Sequence, residues 1–220
     1  MSQFIDFTLP STVPGRTLHG FRCVPEGQVR AVLQLSHGMV EYIDRYRPLA
    51  EYLADRGILV TGHDHLGHGA SIRTKEDYGY FAEPDGNRAV LADLHAVTVL
   101  TKELYPNLPY FLLGHSMGSF YARQYLCEYG RELNGAIIMG TGFQPKALVK
   151  VAKTLCRVLD GRGLEYRLAG EGEADVYEAH DLSQLILDLH QAGCQVTGLH
   201  QRDETLESYY MNLVGGGRDV

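Results

Sequence analysis

The sequence predicts an α/β fold: a doubly wound, mostly parallel sheet with helices on both faces. Three observations lead there. Apolar runs at residues 29–35, 58–61, 110–113 and 136–139 have the length and composition of strands buried on both sides. Between them lie segments whose apolar residues recur at helical spacing, and strands alternating with helices specify a parallel sheet. Finally, the run at 110–113 passes through Gly114-His-Ser116-Met-Gly118 directly into a helical pattern, which is the sequence form of a nucleophile elbow.

In chain order, two strands are expected at residues 4–9 and 17–24, separated by Pro10-Ser-Thr-Val-Pro-Gly15, whose residues are turn chemistry. A short antiparallel start follows. The strand at 29–35 runs into the loop Ser36-His-Gly-Met-Val-Glu-Tyr42. Residues 44–56 carry Tyr46, Leu49, Ala50 and Leu53 on one stripe closed by Gly57, an amphipathic helix. The strand at 58–61 leads to Gly62-His-Asp-His-Leu-Gly-His-Gly-Ala-Ser71. His63, His65 and His68 raise the question of zinc, but a tetrahedral site needs four convergent ligands and no fourth is evident. The expectation is a structured turn set by Asp64 and the glycines, with no metal and no cofactor.

A helix over 87–104, with Val90, Leu91, Leu94, Val97 and Leu100 at helical period, ends at Tyr105-Pro-Asn-Leu-Pro109. The elbow helix covers 119–129 and stops at Gly130; a strand at 136–139 and a helix at 145–159, opening on proline, follow. A composition shift at Asp160-Gly-Arg-Gly163 divides a core of residues 1–160 from a tail of residues 161–220. The tail reads as a strand (165–169), an acidic stretch (Glu171, Glu173, Asp175, Glu178), a helix (182–191) capped by Asp181 and Gln184, a strand (194–199) and a helix (205–213). This βαβα-like order either docks on the sheet, adding parallel strands to its edge, or forms a separate piece.

A chain of 220 residues with 45% hydrophobic and 21% charged residues supports one substantial core. The net charge of -7 disfavours nucleic acid and offers no basic patch for anionic membranes. Cys23, Cys127, Cys156 and Cys194 form neither a C-x-x-C pair nor a disulfide framework, and the N-terminus lacks the regions of a signal peptide, so a cytoplasmic location is expected. No apolar run approaches a membrane span.

Acyl transfer through a serine needs a nucleophile, a base, a group that orients the base, and donors for the oxyanion. Ser116 at the elbow is the nucleophile, with Gly114 and Gly118 leaving room for strand and helix to pack closely. The backbone N–H of Met117, at the helix N-terminus, is one oxyanion donor. The second is expected from the loop after the strand preceding the first helix, which makes the N–H of Met39 the counterpart. His115 is read as a packed or turn-stabilising residue rather than as the base.

Residues 1–159 resemble an alpha/beta hydrolase of the monoacylglycerol lipase and serine aminopeptidase-like group, related to enzymes called lysophospholipases. The resemblance is carried by His37-Gly38-Met-Val-Glu41-Tyr, Asp64-His-Leu-Gly67-His68-Gly69-Ala-Ser71 and Gly114-His-Ser116-Met-Gly118, in order and on the expected elements. It implies Ser116 as nucleophile, Met39 and Met117 as oxyanion donors, and acylglycerols, lysophospholipids or short acyl esters as substrates. It also implies an incomplete fold, because the lid and the C-terminal strands that deliver acid and base are missing. Residues 161–220 resemble instead the C-terminal end of an ABC transporter ATPase subunit, although they contain no phosphate-binding loop. By position, the tail offers His200, just past an expected strand, as base and Glu173 as acid. The alternative is a catalytically defective remnant or fusion product with at most a binding role, prone to self-association through an exposed sheet edge.

Overall fold

A computed structural model describes residues 2–143, 145–161, 166–170, 173–176 and 182–198. The chain forms two compact units, Met1–Gly142 and a second that begins at Phe143. In the first, strands β1 (Gln3–Pro10), β2 (Thr17–Val24), β3 (Ala31–Ser36), β4 (Ile58–His63), β5 (Tyr110–His115) and β6 (Gly135–Met139) form one sheet in the order β1-β2-β4-β3-β5-β6. The β1–β2 and β2–β4 pairs are antiparallel, and β4–β3, β3–β5 and β5–β6 are parallel. This is the expected mostly parallel sheet with an antiparallel start.

Three helices flank it: α1 (Arg47–Ala54), α2 (Gly86–Leu104) and α3 (Met117–Tyr129). The pleat sorts the strand residues between two faces. Leu33, Leu35, Val60 and Leu113 meet Ala50 and Ala54 of α1 on one face. Leu112 meets Val90, Leu91 and Leu94 of α2 and Tyr121, Ala122 and Tyr125 of α3 on the other, where Val32, Leu59 and Tyr110 also pack together. Gln34 lies on this second face, fully buried and hydrogen-bonded through both ends of its amide: its nitrogen donates to the Leu94 carbonyl at 2.8 Å, and its oxygen accepts from Thr98 at 2.8 Å and Tyr110 at 2.5 Å. A buried amide without such partners would cost about 1–3 kcal/mol.

Several boundaries differ from the periodicity by a residue or two, and four differences have a cause in the structure. The helix expected over 44–56 divides into a 3-10 turn at Ile43–Tyr46 and α1, because Pro48 is tolerated only in the first turn of an α-helix. Strand β4 runs on to His63 because Gly62 and His63 pair with Phe21 and Gly20 of β2, so His63 belongs to the sheet and not to a loop. Strand β5 runs on to His115 through its pairing with Met139 of β6. Helix α3 starts at Met117, directly after Ser116, rather than at Ser119.

The second unit contains α4 (Lys146–Gly161), β7 (Tyr166–Gly170), β8 (Glu173–Val176) and α5 (Leu182–Gln191). Strands β7 and β8 are antiparallel to each other in a two-stranded sheet of their own, where the sequence suggests strands that could extend a parallel sheet. The strand expected over 194–199 does not form across 194–198. Instead, α5 ends in a Schellman motif: Gly193 takes a φ of 82°, its N–H donates to His190 O, and the Cys194 N–H reaches back to Leu189 O at 2.8 Å. Cys194 is thereby committed to the cap and buried with Leu159, Leu185 and Leu189. The capping residue Asp181 and the helix expected over 205–213 lie outside the described residues. On α4, exposed Lys146, Lys150, Lys153 and Arg157 recur on one face, a local basic stripe that the whole-chain charge of -7 conceals. Among the described residues, no helix is long and apolar enough to cross a membrane.

Candidate active site

Ser116 sits between β5 and α3 with φ 51° and ψ -117°, a conformation that L-residues rarely adopt. Its neighbours hold it there. The Ser116 N–H donates to Met139 O of β6 at 2.9 Å, while its carbonyl accepts the Ser119 N–H at 2.9 Å and the Ser119 hydroxyl at 2.5 Å. The glycines on either side are sterically required. A Cβ on Gly114 would lie 2.3 Å from Gly118 O, and one on Gly118 only 2.0 Å from Ser36 O, both backbone atoms that cannot swing away.

Opposite the elbow lies the loop that follows β3. A Cβ on Gly38 would meet Ser116 Cβ at 3.2 Å and Glu41 Oε2 at 2.9 Å, so this loop and the elbow are in contact. Met39 and Val40 form a turn with Val40 at φ 56°, the conformation a type II turn demands at its third residue. Three non-glycine residues among those described have positive φ, namely Val40, Asn107 and Ser116. Two of them lie here. Strain concentrated at one place is a feature of functional sites, because the surrounding structure has to over-determine it. The Met117 N–H, first of its helix, has no intrahelical acceptor, so it is available to an incoming group.

Behind this loop stand the histidines. The His65 N–H donates to His37 Nε2 at 3.0 Å, which makes Nε2 an acceptor and puts the ring proton on Nδ1, 2.8 Å from Gly38 O. His65 Nε2 in turn lies 3.0 Å from Ser36 Oγ. Burial holds His37 down at about 4 and His63 at about 3, so both rings are neutral at physiological pH. Among the described residues, His63 has no partner for either ring nitrogen. Asp64 ties the turn together, accepting the Ile43 N–H at 2.6 Å and the Ala70 N–H at 2.8 Å. A Cβ on Gly69 would fall within 2.1 Å of that carboxylate. Among the described residues no three His, Cys, Asp or Glu side chains converge as metal ligands.

A side-chain cluster to which the sequence assigns no joint role lies beside the elbow. Glu41 Oε2 accepts the Gly38 N–H at 2.8 Å and the Tyr46 hydroxyl at 2.9 Å, and His115 Nδ1 is 3.1 Å away. An ionised carboxylate only accepts, so this last contact requires the proton on Nδ1. Burial pushes the Glu41 carboxyl up, but the Gly38 amide, His115 and Tyr46 outweigh it and hold the group below its ordinary value. The spacing was a usable signal: a carboxylate three residues after a glycine can reach back to that glycine's N–H, as in a capping box.

The sequence thus brings Ser116, Met39 and Met117 to one place. Glu173 does not follow a parallel strand; it opens β8 and pairs with Gly170 across the β7–β8 hairpin. His200 lies outside the described residues. Two open clefts of about 420 and 440 Å³ lie away from the elbow. One is at the opposite end of the sheet, around Arg30 and Gly57, and the other is lined by Asp6, His19 and Arg47.

Comparison with known proteins identifies relatives of this arrangement. The family model described as serine aminopeptidase, S33 matches residues 27–202, running past residue 159, where the sequence reading ends the hydrolase resemblance, and none of the relatives reported below is an ATPase. The chain is 39% identical over 113 residues to a monoglyceride lipase homolog of monkeypox virus, covering 50% of this chain and 38% of that one. It is 31% identical over 150 residues to a monoacylglycerol lipase of Mycolicibacterium smegmatis, covering 64% of this chain and 50% of that one. Among solved structures it is similar to a thermostable carboxyl esterase from Bacillus coagulans, with a TM-score of 0.63 and 29% identity over 73% of this chain and 51% of the esterase. The chain therefore spans about half or less of the length of these relatives.

Proposed function

We propose, for a chain that belongs to the serine aminopeptidase S33 family of hydrolases, that it cleaves carboxylic esters through an acyl-enzyme on Ser116. The observation that carries the reading is Ser116 itself, held at φ 51° between β5 and α3 with the Gly38 loop against its Cβ. Ser116 Oγ attacks the ester carbonyl carbon and its proton passes to an imidazole base. The negative charge gathers on the carbonyl oxygen, where the N–H groups of Met39 and Met117 donate to it. Collapse expels the alcohol, which takes the proton, and water then releases the acid by the reverse steps. Preorganised donors of this kind are each worth about 10²–10³ in kcat. No step calls for a cofactor.

Monoacylglycerols and short acyl esters are the proposed substrates, in keeping with relatives named monoglyceride lipase homolog, monoacylglycerol lipase and carboxyl esterase. His200 is the proposed base and Glu173 the proposed acid that orients it. The test is labelling with a fluorophosphonate together with hydrolysis of short and medium p-nitrophenyl esters. Ser116→Ala abolishes both, a loss of at least about 1,000-fold, and His200→Ala does so if His200 is the base. Loss with Ser116→Ala alone assigns the base to another residue. Folded protein that is neither labelled nor active sinks the enzyme reading in favour of a remnant that only binds. The edge strand β6, with Ile137 and Met139 exposed, makes self-association at high concentration part of the same proposal.

A further inference from the structure

We infer that Glu41 is the positioning residue that latches the His37-Gly38-Met39 loop against the elbow, setting the Met39 N–H opposite the Met117 N–H. The inference rests on the hydrolase reading only for the consequence of the latch, not for its existence. Three elements converge on one oxygen. Glu41 Oε2 takes the Gly38 N–H from the loop, the Tyr46 hydroxyl from the turn before α1, and lies 3.1 Å from His115 Nδ1 at the end of β5. His115 is the residue before Ser116, so the carboxylate joins the loop to the nucleophile's own strand. Tyr46 Oη also lies 3.2 Å from His115 Nδ1, closing the three side chains into a ring.

The geometry around Gly38 explains why a latch is needed. A Cβ here would lie 2.9 Å from Glu41 Oε2 and 3.2 Å from Ser116 Cβ, so only a glycine lets the carboxylate and the elbow approach the loop this closely. The turn itself is strained, with the β-branched Val40 at φ 56°. A loop in that state relaxes unless something holds it, and the Met39 side chain, 66% exposed, contributes no anchorage. The Glu41 carboxylate is only 12% exposed, so its hydrogen bonds form where water competes poorly. Its outward oxygen meets Arg45 at 3.4 Å, a contact of an exposed guanidinium that adds little.

The test compares Glu41→Ala and Glu41→Gln with wild type by hydrogen exchange of the Gly38 amide, by the rate of fluorophosphonate labelling at Ser116, and by thermal unfolding. In Glu41→Ala, Gly38 protection and the labelling rate each fall by about tenfold or more, the scale of one lost charge-assisted donor. Glu41→Gln, which keeps an accepting oxygen, restores the larger part of both. Where esters are turned over, the loss appears in kcat with KM nearly unchanged. Unaltered Gly38 protection in Glu41→Ala overturns the latch. Lost protection with unaltered labelling overturns its positioning role, and a fall in melting temperature that accounts for the whole labelling loss reduces Glu41 to a structural residue. If wild type is not labelled at all while Gly38 protection still depends on Glu41, the latch stands and the hydrolase reading falls.

Discussion

The elbow and the histidine turn invite opposite expectations from their residue types. The turn carries three histidines and an aspartate, the richest concentration of reactive side chains in the chain, whereas the elbow offers one serine among glycines. The physical setting reverses the order. His63 and His65, like His37 in the loop beside them, are fully buried and neutral: His37 is spent on neighbouring backbone, His65 Nε2 on the Ser36 hydroxyl, and neither His63 nitrogen has a partner among the described residues. Ser116 is partly exposed and conformationally strained, and it lies against the Gly38 loop. What distinguishes the two regions is which groups remain available after the fold has used the rest. The turn is scaffolding for the site: His37 and His65 support the loop that Glu41 latches, and Asp64 fixes the chain on either side.

Altering the elbow's packing breaks the comparison most severely. Gly118→Ala puts a methyl group 2.0 Å from Ser36 O, and the clash with immovable backbone costs about 3 kcal/mol or more. Chemical denaturation measures that loss, and labelling of Ser116 disappears with it. Acid acts on the turn instead. His37 at about 4 and His63 at about 3 titrate below the unfolded value of roughly 6.5. The unfolded chain therefore binds more protons below that pH. Stability is complete above about pH 6.5 and falls with pH towards 4, by on the order of 3 kcal/mol for each histidine. His63→Leu removes two unpartnered nitrogens at similar volume; it leaves neutral-pH stability within about 1 kcal/mol and flattens the acid limb. A steep acid limb in that variant would assign the titration elsewhere.

Two smaller changes sharpen the elbow's side of the contrast. Met39→Pro removes the proposed oxyanion N–H at the second position of a turn that accepts proline, so ester turnover drops by about 100-fold while unfolding stays near wild type. Met39→Ala, which keeps the N–H and trims an exposed side chain, changes turnover by less than about threefold. Equal effects in the two variants would take the donor role from that amide. Least of all, Val40→Gly relieves a positive φ and raises stability by about 0.5–1 kcal/mol, at the expense of slower labelling as the loop loosens.

Much of this was legible in the chain. The alternation of buried runs with amphipathic stripes foretold β3 to β6 and the three flanking helices, because period and burial are local consequences of side-chain order. Gly-x-Ser-x-Gly foretold the elbow for the same reason: Gly114 and Gly118 are needed by backbone approaches within one strand-turn-helix unit. The second unit was less legible. Cys194 begins an alternating stretch, Cys194-Gln-Val-Thr, that suits a strand, but the Schellman cap at Gly193 and the contacts with Leu159 and Leu189 claimed it. Nothing in the spacing of the acidic stretch revealed that Glu173 would pair back onto Gly170.

The sequence by itself determined the fold class, the place of Ser116 at the strand-to-helix turn and the glycines that make room for it, since each depends on residues a few positions apart. Only the tertiary structure decided what the side chains between the motifs do. Glu41, Tyr46 and His115 are separated by as many as 74 positions and meet on one carboxylate oxygen. No local pattern encodes that meeting, because it arises from the parallel register that brings the end of β3 beside the end of β5.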